Sequence, residues 1–221
     1  MDAPLDASAL AALPIFPLPD AVLFPGALLP LHVFEPRYRT MTTDVLAGRR
    51  LMGIARLRAG FEADYEGRPP VYATCGVGYV VGSESLPDGR FHILLRGVGR
   101  AAIDAELPAA KPYREVRARV LVDSRSAHAP GVLTERHEQL VAVCDRLSLL
   151  MDDRGAELRE LARALPSPAG CADVLAAALV READDRQALL EMVDPADRLT
   201  AVTGHIAELI VRMAPAGGRP N

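Results

Sequence analysis

Gly76-Val77-Gly78-Tyr79-Val80-Val81-Gly82, then Pro87-Asp88-Gly89, then Phe91-His92-Ile93-Leu94-Leu95-Arg96-Gly97 is the stretch that decides the fold. Two apolar, β-branched runs flank a short turn segment. Asp-Gly favours the positive φ angles of a tight hairpin turn, so the runs read as antiparallel neighbours. The glycines resemble a phosphate-binding loop only on the surface. No helix follows them, and they read instead as points where a strand bends sharply.

Working outward, further strands are expected at 14–18, 28–33, 51–58 and 71–83, then 91–97, 100–107 and 113–122, with Pro112 opening the last. One helix interrupts them. Glu35 precedes Pro36, which suits a first helical position, and Gly48 ends the segment. Tyr38, Met41 and Val45 share its inner face. Glu35 is expected to cap this helix and pair with a nearby Arg. Many short strands and a single helix argue for a strongly curved sheet or partly closed barrel over 10–123.

Past the small, polar segment Asp123–Gly131 the texture changes to Leu/Ala-rich helical periodicity. Helices are expected at 132–151, 156–165, 171–181, from Asp184 with Gln187 completing a capping box, and from Asp194-Pro195 onward. This gives an α+β chain with a helical subdomain at 131–213 and a frayed tail at 214–221.

Composition narrows the function. The 221 residues are 50% hydrophobic and 24% charged, with a formal net charge of -4, which argues against binding nucleic acid or anionic membrane through bulk charge. The N-terminus is acidic where a secretory signal is basic, and no window is apolar enough to span a membrane, so a cytoplasmic protein is expected. Cys75, Cys144 and Cys171 form no CxxC pair and read as buried thiols rather than metal ligands.

Catalytic signatures are missing. The sole lysine, Lys111, precedes Pro112, so there is no GxxxxGK[ST] phosphate loop, and a Ser–Lys dyad has no credible lysine. There is no GxSxG elbow. His137-Glu138-Gln139-Leu140-Val141 lacks the second histidine of HExxH. His32 and Glu35 could form an acid/base pair, but Glu35 as a helix cap is the favoured reading. No enzyme activity, cofactor or metal is expected.

Three segments carry a resemblance. Leu13-Pro14-Ile15-Phe16-Pro17-Leu18, Val22-Leu23-Phe24-Pro25-Gly26 and Leu29 to Arg39 resemble the opening of the Lon protease N-terminal, substrate-binding domain, most of all its short stand-alone bacterial form. Ile93 to Ala101 is similar to the family's strand–Gly–Arg segment, and Gln187 to Asp194 with Arg198-Leu199 to its closing motif. The resemblance implies a PUA-like distorted β-barrel with one helix, followed by an α-helical bundle. It also implies a non-catalytic module, since the motor and peptidase of full-length Lon enzymes have no counterpart in these motifs.

The expected partner is therefore an unfolded or degron-bearing polypeptide, or a partner protein, with no nucleic acid and no membrane; a homodimer is compatible. The role implied is an adaptor or regulator in protein quality control. Phe24, Phe34, Arg37, Tyr38, Arg58, Phe61 and Tyr65 are the candidate groove residues, with the crevice between barrel and bundle as the expected location. Phe61 and Tyr65 stand out because they lie on the longest irregular connection, Ala59–Pro70, without a strand partner. Two alternatives stay open: a PUA-like RNA binder using Arg37, Arg39, Arg49 and Arg50, and a small-molecule enzyme built on His32 and Glu35 in the barrel pocket.

Overall fold

A computed structural model describes residues 5–65, 67–124, 128–165 and 167–214. The expected tail from Pro215, the centre of the linker and Pro166 lie outside them. The chain divides into two compact units, one ending at Val122 and one beginning at Asp123.

In the first unit the strands are β1 (Leu13–Leu18), β2 (Leu28–Val33), β3 (Leu51–Arg56), β4 (Thr74–Ser85), β5 (Phe91–Glu106) and β6 (Arg114–Leu121). They form one sheet in the order β2-β5-β4-β3-β1-β6, and β6 also pairs with β5. That second pairing closes a five-stranded ring and leaves β2 beside it. The expected strands at 91–97 and 100–107 are one continuous strand. Its first half pairs with β2, Phe91 to Arg96, and its second half with β6, Arg100 to Glu106. A single bent strand thus serves two neighbours on one side, which periodicity cannot distinguish from two strands.

The hairpin is as read. Gly89 has φ +77°, and β4 and β5 run antiparallel. The glycines do more than permit a bend. A side chain at Gly76 would strike the Leu23 carbonyl oxygen, and one at Gly97 the Phe24 carbonyl oxygen. The Leu23–Phe24 backbone lies against the strands, with Gly26 N–H donating to Gly97 O at 2.9 Å. The sequence texture of β1 is equally specific. β1 pairs with β6 at 13–15 and with β3 at 15–18, so Pro14 and Pro17 each fall where it has a neighbour on one side only.

The β1–β3 pairing is the parallel one, and it requires a crossover. The helix α2 (Pro36–Ala47) lies within it, after the short α1 (Ala7–Leu10), which periodicity does not reveal. β3 is buried along both faces. Met52 and Ile54 join Tyr38, Met41 and Val45 of α2 in one core, while Leu51 and Ala55 join Leu13, Ile15, Cys75 and Val116 in another. Alternation along the strand therefore feeds two cores.

The second unit holds α3 (Val132–Ser148), α4 (Arg154–Ala164), α5 (Pro168–Leu179), α6 (Ala183–Glu191) and α7 (Pro195–Met213). Asp194 caps α7, its side chain accepting from Ala196 N–H. The expected capping box of α6 is absent. Its N-cap is Glu182, Asp184 and Asp185 sit in the first turn, and Gln187 is buried and donates to Glu191 at 2.8 Å. Arg198 is fully buried. It pairs with Asp173 at 2.9 Å and Asp123 at 3.0 Å and donates to the Met192 carbonyl at 2.6 Å.

Candidate functional site

β2 delivers the chain to α2 at Glu35, and the site is built around that corner. Glu35 holds the N-cap position, but its side chain caps nothing. Its carboxylate instead accepts from Arg37 Nε at 3.0 Å and from the Tyr65 hydroxyl at 2.8 Å. Arg37 Nη2 donates onward to the Tyr65 carbonyl at 3.2 Å. The Arg37 guanidinium stands 4.7 Å from the centre of the Tyr38 ring and 5.5 Å from that of Tyr65. Tyr38 packs on Phe16 at 4.2 Å, and Tyr65 lies 6.1 Å from Phe61, on the 3₁₀ turn Phe61–Asp64. The irregular loop is thus pinned to the start of α2.

Burial pushes the Tyr38 phenol up to about 12. Burial, followed by the hydrogen bond to Glu35, also raises Tyr65. Tyr65 is therefore a hydrogen-bond donor throughout the neutral range.

Of the seven candidate residues, the fold brings Arg37, Tyr38, Phe61 and Tyr65 together. Phe24 is fully buried and packs in the interior, so it is removed from the candidate set. An apolar ring following Val22-Leu23 in a stretch that lies against glycines is held there by packing. Tyr38 is 4% exposed and acts as the floor of the cluster. Phe34 stands apart, 59% exposed and 6.1 Å from His32. Arg58 is exposed, and its guanidinium lies over Tyr72, as does that of Arg56.

A cavity of about 330 Å³ opens beside this cluster. Its wall includes Arg37, Tyr38, Arg68, Lys111, Tyr113 and Arg114. Arg114 is buried. It meets both oxygens of Glu106 at 2.9 Å and donates to the Pro69 carbonyl at 2.8 Å. Arg68 reaches the same Glu106 at 2.9 Å. Lys111 pairs with Glu115 at 3.2 Å and lies 3.7 Å from Asp44, which accepts from the Tyr113 hydroxyl at 2.7 Å. Hydrogen bonds to Tyr113 and then Glu115 hold Lys111 more firmly protonated than an ordinary lysine. Sequence reading missed Arg68, Lys111 and Arg114. The one signal available was that Lys111 is the only lysine.

The acid/base alternative has a different geometry from the one expected. His32 is exposed on β2, 3.2 Å from Arg90 and 4.8 Å from the His92 ring, while Glu35 is committed to Arg37 and Tyr65. Among the arginines weighed for RNA, Arg37 is held by Glu35, Arg49 by Asp6 and Ser8, and Arg50 by the Val80 carbonyl. In the second unit His128, Asp194 and Asp197 bring possible metal-ligand atoms within 4.8 Å of one another. Arg136 donates to Asp197 at 3.1 Å, however, and Asp194 is the α7 cap, so the cluster reads as an ion-paired helix start. No helix among the described residues is long and apolar enough to cross a membrane.

Comparison with known proteins agrees with this architecture. The Lon protease of Geobacter metallireducens is 29% identical over 198 residues, covering 88% of this chain and 23% of that protein. Lon protease 2 of Myxococcus xanthus is 27% identical over 195 residues, 86% of this chain and again 23% of the relative. The chain thus spans about a quarter of the length of these relatives. Among solved structures, the Lon N-terminal domain protein from Xanthomonas campestris superposes with a TM-score of 0.62 at 24% identity, covering 87% of this chain and 97% of that one. The N-terminal domain of the Mycobacterium avium complex Lon protease gives 0.65 at 20%, covering 89% and 98%. Residues 12–208 match the family described as the ATP-dependent protease La (LON) substrate-binding domain, and the chain belongs to that family.

Proposed function

We propose that this protein binds exposed segments of unfolded or degron-bearing polypeptide, without ATP and without cutting them, and acts in the cytoplasm as an adaptor or regulator of protein quality control. The family's substrate-binding description supports the reading. The observation that carries it is the Arg37–Tyr38–Phe61–Tyr65 cluster. There, the partly exposed Phe61 and Tyr65 rings sit on an irregular loop that hydrogen bonds at Tyr65 fix beside a guanidinium. Pre-ordered aromatic and Arg side chains lose little freedom on binding, which is why such groups dominate contact energy. Phe34, 59% exposed in the segment between β2 and α2, adds apolar surface.

Fluorescence anisotropy with a labelled, permanently unfolded protein tests this. Binding is expected with and without ATP, and Phe61→Ala is expected to weaken it at least about fivefold, the effect of losing roughly 1 kcal/mol of contact. Failure to bind any unfolded chain, or full affinity in the Phe61→Ala protein, would overturn the reading.

A further inference from the structure

The cavity beside the cluster has a wall chemistry that binding apolar polypeptide does not require. In a chain of net charge -4, it gathers Arg37, Arg68, Lys111 and Arg114, with two tyrosines, and no carboxylate lines it among the described residues. The compensating acids pair with these cations without lining the cavity themselves. Glu35 holds Arg37, Glu106 holds both Arg68 and Arg114, and Glu115 with Asp44 holds Lys111. This arrangement fixes the cations in place and offsets their mutual repulsion. Donor groups held this way recognise an anion with little reorganisation.

We propose that this cavity takes a carboxylate of the bound polypeptide, either an Asp or Glu side chain or the terminal carboxylate. The inference rests on the polypeptide-binding reading and names the chemistry that the same region selects. Two features favour a carboxylate on a flexible chain over a nucleic-acid backbone. The cavity, about 330 Å³, is at the small end of ligand sites, enough for a side chain or a chain end. Its cations line one small cavity, whereas a phosphodiester strand needs them spread along a groove. Arg68 and Arg114 already show the preferred geometry, since both reach the Glu106 carboxylate at 2.9 Å. Lys111 stays charged well above neutral pH, so the preference should persist across the physiological range.

The test uses the full chain and three labelled peptides of one apolar sequence. One carries a central Glu and an amidated end, one a Gln and an amidated end, and one a Gln and a free terminal carboxylate. At low salt the Glu peptide, the free-end peptide or both should bind about tenfold tighter than the Gln amide, a step at the lower end for a charge-assisted hydrogen-bonded pair. Added salt should narrow the gap. Arg68→Gln with Lys111→Gln should close it; these side chains are 38% and 41% exposed, whereas Arg114 is buried and its loss endangers folding.

A second readout needs no variant. Lys111 is the only lysine, so reductive ¹³C-methylation, which keeps its charge, gives one lysine NMR signal. That signal should move with a carboxylate peptide and stay with the Gln amide. Equal affinity for all three peptides would overturn the assignment while leaving polypeptide binding intact. So would a gap that survives the double substitution, or a Lys111 signal indifferent to the carboxylate. Binding of none of the peptides would overturn both.

Discussion

Arg198→Met should be among the most damaging single substitutions in the second unit. The side chain is fully buried, and its guanidinium meets Asp173, itself 2% exposed, at 2.9 Å. It also meets Asp123, whose side chain is 34% exposed, at 3.0 Å, and donates to the Met192 carbonyl at 2.6 Å. Methionine fills most of the volume but leaves the Asp173 carboxylate without its buried counter-charge. Removing one partner of such a pair costs about 3–5 kcal/mol, because the remaining charge is stranded in a poorly polarisable interior. Asp123→Asn should cost roughly 1 kcal/mol, since water reaches that carboxylate and Asn still accepts a hydrogen bond. Asp173→Asn combined with Arg198→Met should recover much of the loss, as both charges then disappear. Equilibrium urea unfolding of the wild type, the Asp173→Asn and Arg198→Met singles and their double, followed by circular dichroism, gives a double-mutant cycle, with Asp123→Asn measured beside it. An Arg198→Met penalty below about 1 kcal/mol, or a larger effect at Asp123 than at Asp173, would refute the argument that desolvation of Asp173 sets the magnitude.

Other outcomes follow from the same structure. Gly76→Ala should lose at least about 2 kcal/mol or fail to fold, because its Cβ meets a backbone carbonyl, whereas Gly204→Ala, in the open interior of α7, should gain roughly 0.5–1 kcal/mol; thermal melts of the two separate steric from conformational effects. Cys75, Cys144 and Cys171 are free and buried, and burial raises their thiols to about 12, 12 and 11, so a thiol reagent at pH 8 should react only after denaturation; rapid labelling of the native protein would contradict this. The sign for stability follows. The unfolded thiols ionise first, so the unfolded state loses protons before the native one, and stability should fall as pH rises from about 9 toward 12, less steeply in a Cys75→Ala protein measured by urea titration. Tyr65→Phe removes the hydroxyl that Glu35 accepts and should cost about 1 kcal/mol, with faster amide hydrogen exchange in the Ala59–Pro70 loop; unchanged exchange there would show that the hydrogen bond does not pin the loop.

Much of the fold was written in local signals. Pro36 and Gly48 bracket α2, Asp88-Gly89 closes the hairpin, and Asp194-Pro195 starts α7, each because one residue type satisfies one backbone need. What failed was what depends on distant partners. Periodicity cannot tell that 91–97 and 100–107 are one strand, because the switch of partner from β2 to β6 between Arg96 and Arg100 is set by distant residues, and at Gly97 the Phe24 backbone leaves no room for a side chain. The same contact explains Phe24. An aromatic between Leu23 and Pro25 looks like a loop contact, yet its backbone runs against Gly97 and its ring is fully buried. Glu35 was legible as an N-cap position but not as a carboxylate turned toward Arg37 and Tyr65, thirty residues on.

The candidate site was legible in its aromatic half and illegible in its charged half, and the reason is compositional. An aromatic on a loop is conspicuous in a chain with five Phe and five Tyr. An arginine among 25 basic residues is not, and Arg68 and Arg114 gain meaning only when the β5–β6 pairing brings Glu106 to both. Lys111 shows the opposite case. As the sole lysine it was visible, and its place before Pro112 excluded it from phosphate-loop and dyad chemistry. The features that excluded it from catalysis also suit it to binding. A lysine paired with Glu115 and lying 5.1 Å from the centre of the Tyr113 ring stays protonated, so it is a poor general base and a dependable cation.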